Sequence, residues 1–313
     1  MRTLKRACAV FGLICLTVVF RPSRATADTA TGDEIQPLIT TAELIVGTNR
    51  FAFGLLKAGK LIERADVKLR LYSLHGSEAK LAAEVQVPYQ TINKVKQERA
   101  DHRHADGTVH VHGDDSLVRG IYVTQLGFAH AGDWGVELQV SQTNDALEPV
   151  RFAVTVKDSS PTPAVGSAAP RSRNIIARDV KNLREIDTSP KPDARLHQVR
   201  IADAIAQRKP QLIVFATPQF CTSRMCGPVV DIVRSLLPTY GKRVAFVHQE
   251  IWQDFAEKKM FPTVEEWRLD TEPWVFLVDG KGIIRAKFEG LVTAREIEDA
   301  LQQILTGEAT RSQ

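Results

Sequence analysis

The chain has 313 residues, 43% of them hydrophobic and 25% charged, with a net charge of +4. The length exceeds one ordinary domain core and the composition is that of a globular protein, so two domains are expected. The charge is small for the size, and no long Lys/Arg run or aromatic-basic interleaving points to a nucleic-acid partner.

Arg2, Lys5 and Arg6 precede an apolar run from Ala7 to Phe20, and Ala25-Thr26-Ala27 supplies small residues before Asp28. This is the pattern of a secretory signal peptide over residues 1–27. The run is short of the ~20 apolar residues that a span needs, so the membrane is expected to hold the chain only if the signal peptide stays uncleaved. Export to the periplasm or extracytoplasmic face follows. Cys8 and Cys15 leave with this segment, and Cys15 follows Ile14 rather than the small residue that lipidation wants. Cys221 and Cys226 then remain, in a compartment where disulfides persist. A bond between them closes too small a loop to staple a fold, so a reactive pair is expected.

From Thr40 to Lys157 the pattern has period two. Val67, Leu69 and Leu71 alternate with polar or outward residues, as do Trp134, Val136, Leu138 and Val140, then Phe152, Val154 and Val156. Further strands are expected at Glu43 to Val46, Arg50 to Leu55, Ala83 to Val87 and Ile121 to Phe128. About seven short strands without a strong helix suggest an antiparallel β-sandwich over residues 40–157. Its A-G-D-W-G-V-E-L segment resembles a late strand of immunoglobulin-like domains in bacterial envelope proteins. Within this region His102, His104, His110 and His112 flank an Asp106-Gly107 turn, so a hairpin can gather four imidazoles as a metal site. A solvated polar hairpin explains the same composition.

Residues 158–174 are rich in Pro, Ser and Ala and read as a linker to a second domain over residues 175–307. One or two helical turns are expected at Ile201 to Gln207, then a strand at Leu212 to Ala216, a Cys-bearing turn, and a helix over about Pro228 to Leu237. A strand at Val244 to Glu250, an irregular or helical insert to Trp267, and strands at Val275 to Val278 and Ile283 to Glu289 follow. Asp279-Gly280-Lys281-Gly282 signals the hairpin between the last two. Thr293 and Glu296 form a capping box for a final helix carrying Ile297, Ala300, Leu301 and Ile304 on one face.

Residues 165–305 resemble the thioredoxin-like superfamily, in element order and in motif. Val165-Gly166-Ser167-Ala168-Ala169-Pro170 is similar to the V-G-x-x-A-P lead-in of peroxiredoxins and TlpA-like envelope thioredoxins. Cys226-Gly227-Pro228-Val229 resembles the thioredoxin C-G-P-C motif, with Val229 at the second cysteine. In another register, Thr217-Pro218 followed by Cys221-Thr222 and Cys226 is similar to Q-type peroxiredoxins. Two cysteines followed by Pro are also similar to Sco-type copper chaperones. The resemblance implies an α/β thioredoxin-like domain that exchanges disulfides with protein thiols of the cell envelope, without a cofactor, and places Pro273 beside the cysteines as the thioredoxin cis-proline. A thiol peroxidase is disfavoured: Val214 and Pro218 break its P-x-x-x-T-x-x-C element, and Pro273 stands where it carries Arg. A copper-delivery protein is the alternative, with His248 joining Cys221 and Cys226 as ligands.

On an unbroken helix, residues five apart diverge by about 140°, too far for a disulfide. Pro228 suits a first helical position, which puts Cys226 at the helix mouth, under the pKa-lowering influence of the N-terminus, and Cys221 in the loop before it. Which sulfur attacks stays open. Trp252, Trp267 and Trp274 are expected to pack the core or rim, with Trp274 a candidate for a peptide-docking surface.

Overall fold

The computed structural model describes residues 34–75, 78–92, 102–103, 109–110, 119–142 and 145–307. The expected signal peptide, His104 and His112 lie outside the described residues, and so do the side chains of His102 and His110. Most of the chain is antiparallel β-sheet, and among the described residues no helix is long and apolar enough to cross a membrane.

The N-terminal strands are β1 (Ile35–Ile39), β2 (Gly47–Lys57), β3 (Lys60–Leu61), β4 (Asp66–His75), β5 (Glu78–Val87) and β6 (Tyr89–Thr91). They continue with β7 (His102–Arg103), β8 (Val109–His110), β9 (Gly120–Phe128), β10 (Gly132–Gln142), β11 (Asp145–Ala146) and β12 (Val150–Val156). One sheet has the order β1-β2-β9-β6 with β3 on β2; the other runs β11-β10-β4-β5 with β12 also on β10. Their inner faces share one apolar cluster, in which Phe51, Phe53 and Leu55 meet Val67, Leu69, Leu71, Val136 and Leu138. This is the expected alternation, because successive strand side chains point to opposite faces. The backbones of β7 and β8 pair with His102 opposite His110.

Two strand expectations change. β1 lies on a sheet edge, where Pro37 costs no ladder bond. Glu43 to Val46 forms only an isolated bridge from Ile45 to Lys157. There the Asn49 side chain accepts from Ile45 N–H at 3.0 Å and donates to Ile45 carbonyl at 2.6 Å, removing the backbone groups that a ladder would need.

The C-terminal part contains α1 (Ile201–Ala206), β13 (Gln211–Phe215), α2 (Cys226–Tyr240), β14 (Ala245–Gln249), β15 (Trp252–Asp254) and β16 (Lys259–Met260). α3 (Pro262–Glu266), β17 (Trp274–Val278), β18 (Ile284–Glu289) and α4 (Ala294–Thr306) complete it. The insert before Trp267 is thus a β15–β16 hairpin and the short helix α3. A four-stranded sheet has the order β14-β13-β17-β18, with β13 and β14 parallel and the other pairs antiparallel. β13 is buried on both faces. Leu212 and Val214 pack with α2 and α4, while Ile213 and Phe215 pack with Val264 of α3, Trp267 and Ile201 of α1. Thr293 caps α4 by accepting from Glu296 N–H at 3.2 Å, and Glu296 accepts from Thr293 N–H at 2.9 Å.

The two parts are bonded together. The segment expected as a linker lies along the C-terminal sheet: Gly166 N–H donates to Ile284 carbonyl at 2.8 Å, and Ile284 N–H to Ser167 carbonyl at 3.0 Å. Ala52, Ile121 and Val123 join the cluster around α2 and α4. Arg50 of β2 reaches Glu296 at 2.6 Å and the Leu291 carbonyl at 2.7 Å. Glu289 of β18 accepts from Ala42 and Glu43 N–H at 2.9 and 2.7 Å. Gly290, with φ of +69°, lies so close to Thr40 that a Cβ would sit 1.9 Å from its carbonyl oxygen. Arg50→Ala is expected to destabilise the chain by about 2–3 kcal/mol, because it leaves partly buried acceptors unpaired. Urea unfolding measures this.

Candidate functional site

β13 delivers the chain into a tight turn at Thr217. The Thr217 carbonyl accepts from Cys221 N–H at 3.0 Å, and its Oγ1 accepts from Ile251 N–H at 2.9 Å, so the turn is pinned to the chain that leaves β14. Arg224 N–H closes on the Cys221 carbonyl at 3.1 Å, and Arg224 takes a left-handed φ of +58°. α2 then starts at Cys226, so Pro228 is its third residue rather than its first. The third N–H has no helical partner in any case, so proline fits there equally well.

The two cysteines are free thiols with unlike environments. Both are buried, Cys221 at 9% exposed less completely than Cys226 at 0%. The Cys226 thiol hydrogen-bonds toward Cys221 and lowers the Cys221 pKa to about 5 against the opposing effect of burial; Ser223 Oγ and the N–H groups of Cys226 and Met225 assist. Ser223 Oγ lies 3.1 Å from Cys221 Sγ. Burial pushes the Cys226 thiol far up, and the neighbouring Cys221 and the Glu272 charge add to it. The lowered pKa expected for Cys226 is therefore corrected: the helix mouth favours a thiolate on Cys221 in the loop, while Cys226 inside the first turn stays protonated.

A carboxylate that sequence reading passed over completes the group. Glu272 Oε2 accepts from Cys226 Sγ at 3.4 Å and from Thr217 N–H at 2.8 Å. One ligand atom each of Cys221, Cys226 and Glu272 lies within 4.8 Å of the others. Burial, and then the charge on Cys221, raises the Glu272 pKa to about 7. The only sequence signal for Glu272 is its place before Pro273 at the start of β17, next to Phe215 at the end of β13. The Glu272–Pro273 peptide bond is cis.

Among the described residues, His248 groups with Asp187 and His197 and not with the thiols, which corrects its expected place as their third ligand. It is 1% exposed, with Nε2 2.9 Å from the Ala216 carbonyl. Trp274 is also no docking surface. It is 3% exposed and donates to Thr271 Oγ1 at 3.0 Å. The accessible aromatics beside Cys221 are Phe220, stacked on Phe255 at 4.5 Å, and Trp252, edge-on to Phe255 at 5.8 Å. A separate crevice of about 940 Å³ opens between β5, β6, α2 and α4, lined by Arg64, Tyr89, Ser235 and Glu298, and no thiol-site residue lines it.

Alkylation of the reduced protein by iodoacetamide is expected to rise through pH about 5 and level above it, since Cys221 is a thiolate above that value. An ordinary thiol would rise near pH ~8.5. Cys221→Ser removes this phase, and Ser223→Ala moves it to higher pH; both are read from rate-against-pH curves. No protein-family model and no curated protein matches the chain.

Proposed function

We propose that the chain is an exported, thioredoxin-like dithiol–disulfide oxidoreductase acting on protein thiols of the cell envelope. The observation that carries this reading is the unequal pair: a less deeply buried, thiolate-stabilised Cys221 beside a fully buried, protonated Cys226 that touches a carboxylate. Support comes also from the order of strand, Cys turn, helix, parallel strand, hairpin and helix. The N-terminal pair of sheets, read as an immunoglobulin-like sandwich, braces this domain through Arg50 and Glu289.

The Cys221 thiolate attacks a disulfide of the partner, forming a mixed disulfide and expelling one partner sulfur as thiolate. Cys226 Sγ–H then gives its proton to Glu272 Oε2, and the new thiolate attacks Cys221 Sγ. The mixed disulfide breaks, the second partner sulfur leaves, and Cys221–Cys226 is oxidised by the two electrons that the partner gains. The reverse sequence oxidises a partner dithiol. The exposed Phe255 and the half-buried Phe220 and Trp252 that it contacts supply an apolar rim for the partner chain near Cys221.

Among the described residues, the copper-delivery alternative finds no nitrogen donor grouped with the thiols: His248 groups with Asp187 and His197, and a hard carboxylate oxygen stands beside the sulfurs instead. The peroxidase alternative still meets Pro273 where an Arg is needed.

With dithiothreitol as reductant and a disulfide-bonded protein as substrate, Cys221→Ser is expected to abolish exchange, and Cys226→Ser to accumulate a mixed disulfide through Cys221, visible by mass spectrometry. Exchange that persists in Cys221→Ser overturns the reading. Glu272→Gln is expected to slow release of the mixed disulfide about a hundredfold, the size of a general-base contribution. It should also change the pH dependence of that step, because the amide cannot accept the Cys226 proton. Phe255→Ala is expected to raise KM for the protein substrate several-fold while leaving a small disulfide substrate unaffected.

A further inference from the structure

We propose that Asp187, His197 and His248 form a buried binding site for a divalent metal ion of zinc's class, distinct from the thiol pair and independent of the exchange reading. The three residues are 0%, 1% and 1% exposed, and one ligand atom of each lies within 4.8 Å of the others. Ionisable side chains gathered this deep need partners, because a buried polar atom without one has lost its water and gained nothing in return. Here the nitrogens are incompletely matched: Nδ1 of His197 and Nδ1 of His248 are both buried without a hydrogen-bond partner.

The surroundings orient the three groups as outer-shell contacts orient ligands. His248 Nε2–H donates to the Ala216 carbonyl at 2.9 Å, which fixes a proton on Nε2 and leaves Nδ1 as the ring atom that faces Asp187, 3.8 Å from Oδ1. A ligating histidine characteristically donates its other nitrogen to a backbone carbonyl in this way. Asp187 is itself held: Oδ1 accepts from Ser189 N–H at 2.9 Å and Oδ2 from Asp193 N–H at 3.0 Å. His197 approaches Asp187 Oδ2 through Nε2 at 3.2 Å, and its backbone bridges Val247, the neighbour of His248 on β14.

The spacing suits a small cation. Zinc bonds of roughly 2.0–2.1 Å at tetrahedral angles put neighbouring ligand atoms roughly 3.3–3.5 Å apart. The approaches of the two imidazoles to the carboxylate, 3.2 Å to Oδ2 and 3.8 Å to Oδ1, lie close to that value. Two imidazoles and one carboxylate are nitrogen and oxygen donors, which suit zinc and exclude a thiolate-type site. The Ala216 carbonyl that holds His248 immediately precedes Thr217, whose N–H holds Glu272, so the cluster lies directly behind the thiol turn.

The test uses the full mature chain with Cys221→Ser and Cys226→Ser, and with His102, His104, His110 and His112 each changed to Asn, so that neither the thiols nor the His-rich segment can bind. Titration with Co²⁺, competed by Zn²⁺, is expected to show one ion per chain, with visible bands and no thiolate charge-transfer band. X-ray absorption of the zinc form should give nitrogen and oxygen neighbours at roughly 2.0–2.1 Å. Adding His197→Ala should weaken binding at least a hundredfold and abolish the rise in unfolding temperature that zinc gives the parent. Failure of the parent to bind an equivalent of metal overturns the proposal, as does unchanged affinity in a His197→Ala chain with native circular dichroism. Should that variant not fold, X-ray absorption of the parent decides: a shell containing two imidazoles supports the site, and a shell without them overturns it.

Discussion

Two sulfurs and a carboxylate within 4.8 Å of one another cannot all carry charge, and the C-terminal domain is built around which of them does. Repulsion among like charges grows as water is excluded, so the groups must divide the protons unequally. The division follows burial. Cys221 at the rim collects donors from Cys226, Ser223 and the helix mouth; Cys226 inside the first turn of α2 loses its water and keeps its proton. Glu272, half-buried beside both, is left with an affinity for a proton near neutrality.

That arrangement depends on backbone geometry more than on the cysteine spacing. Thr217 takes three roles at once: its carbonyl closes the turn on Cys221, its N–H holds Glu272, and its hydroxyl ties the turn to Ile251. The strands on either side supply the rigidity, since β13 is buried on both faces and pairs with β14 and β17 together. The N-terminal sheets extend this support. Arg50 and the close approach of Gly290 to Thr40 fix β18 and the start of α4, which pack beside α2.

Much of the scaffold was legible in the sequence. Strict alternation in β4 and β10, the apolar run of β13, the Asp279 turn and the Thr293–Glu296 capping box each express a local rule, and local rules are written in neighbouring residues. Where such readings missed, a side chain had replaced backbone pairing, as Asn49 does at Ile45, or a helix began two residues early because its first N–H groups need no helical partner.

The sequence by itself determined that two cysteines five apart stand between a buried strand and a helix, with Pro273 opening a later strand. Only the tertiary structure decided which cysteine is the more deeply buried, that Glu272 joins the pair through Cys226, and that His248 groups with Asp187 and His197. The reason is physical: proton affinity and pairing follow burial and distance between residues as far apart as Thr217 and Glu272, or Asp187 and His248, and neither quantity is fixed by any local pattern in the chain.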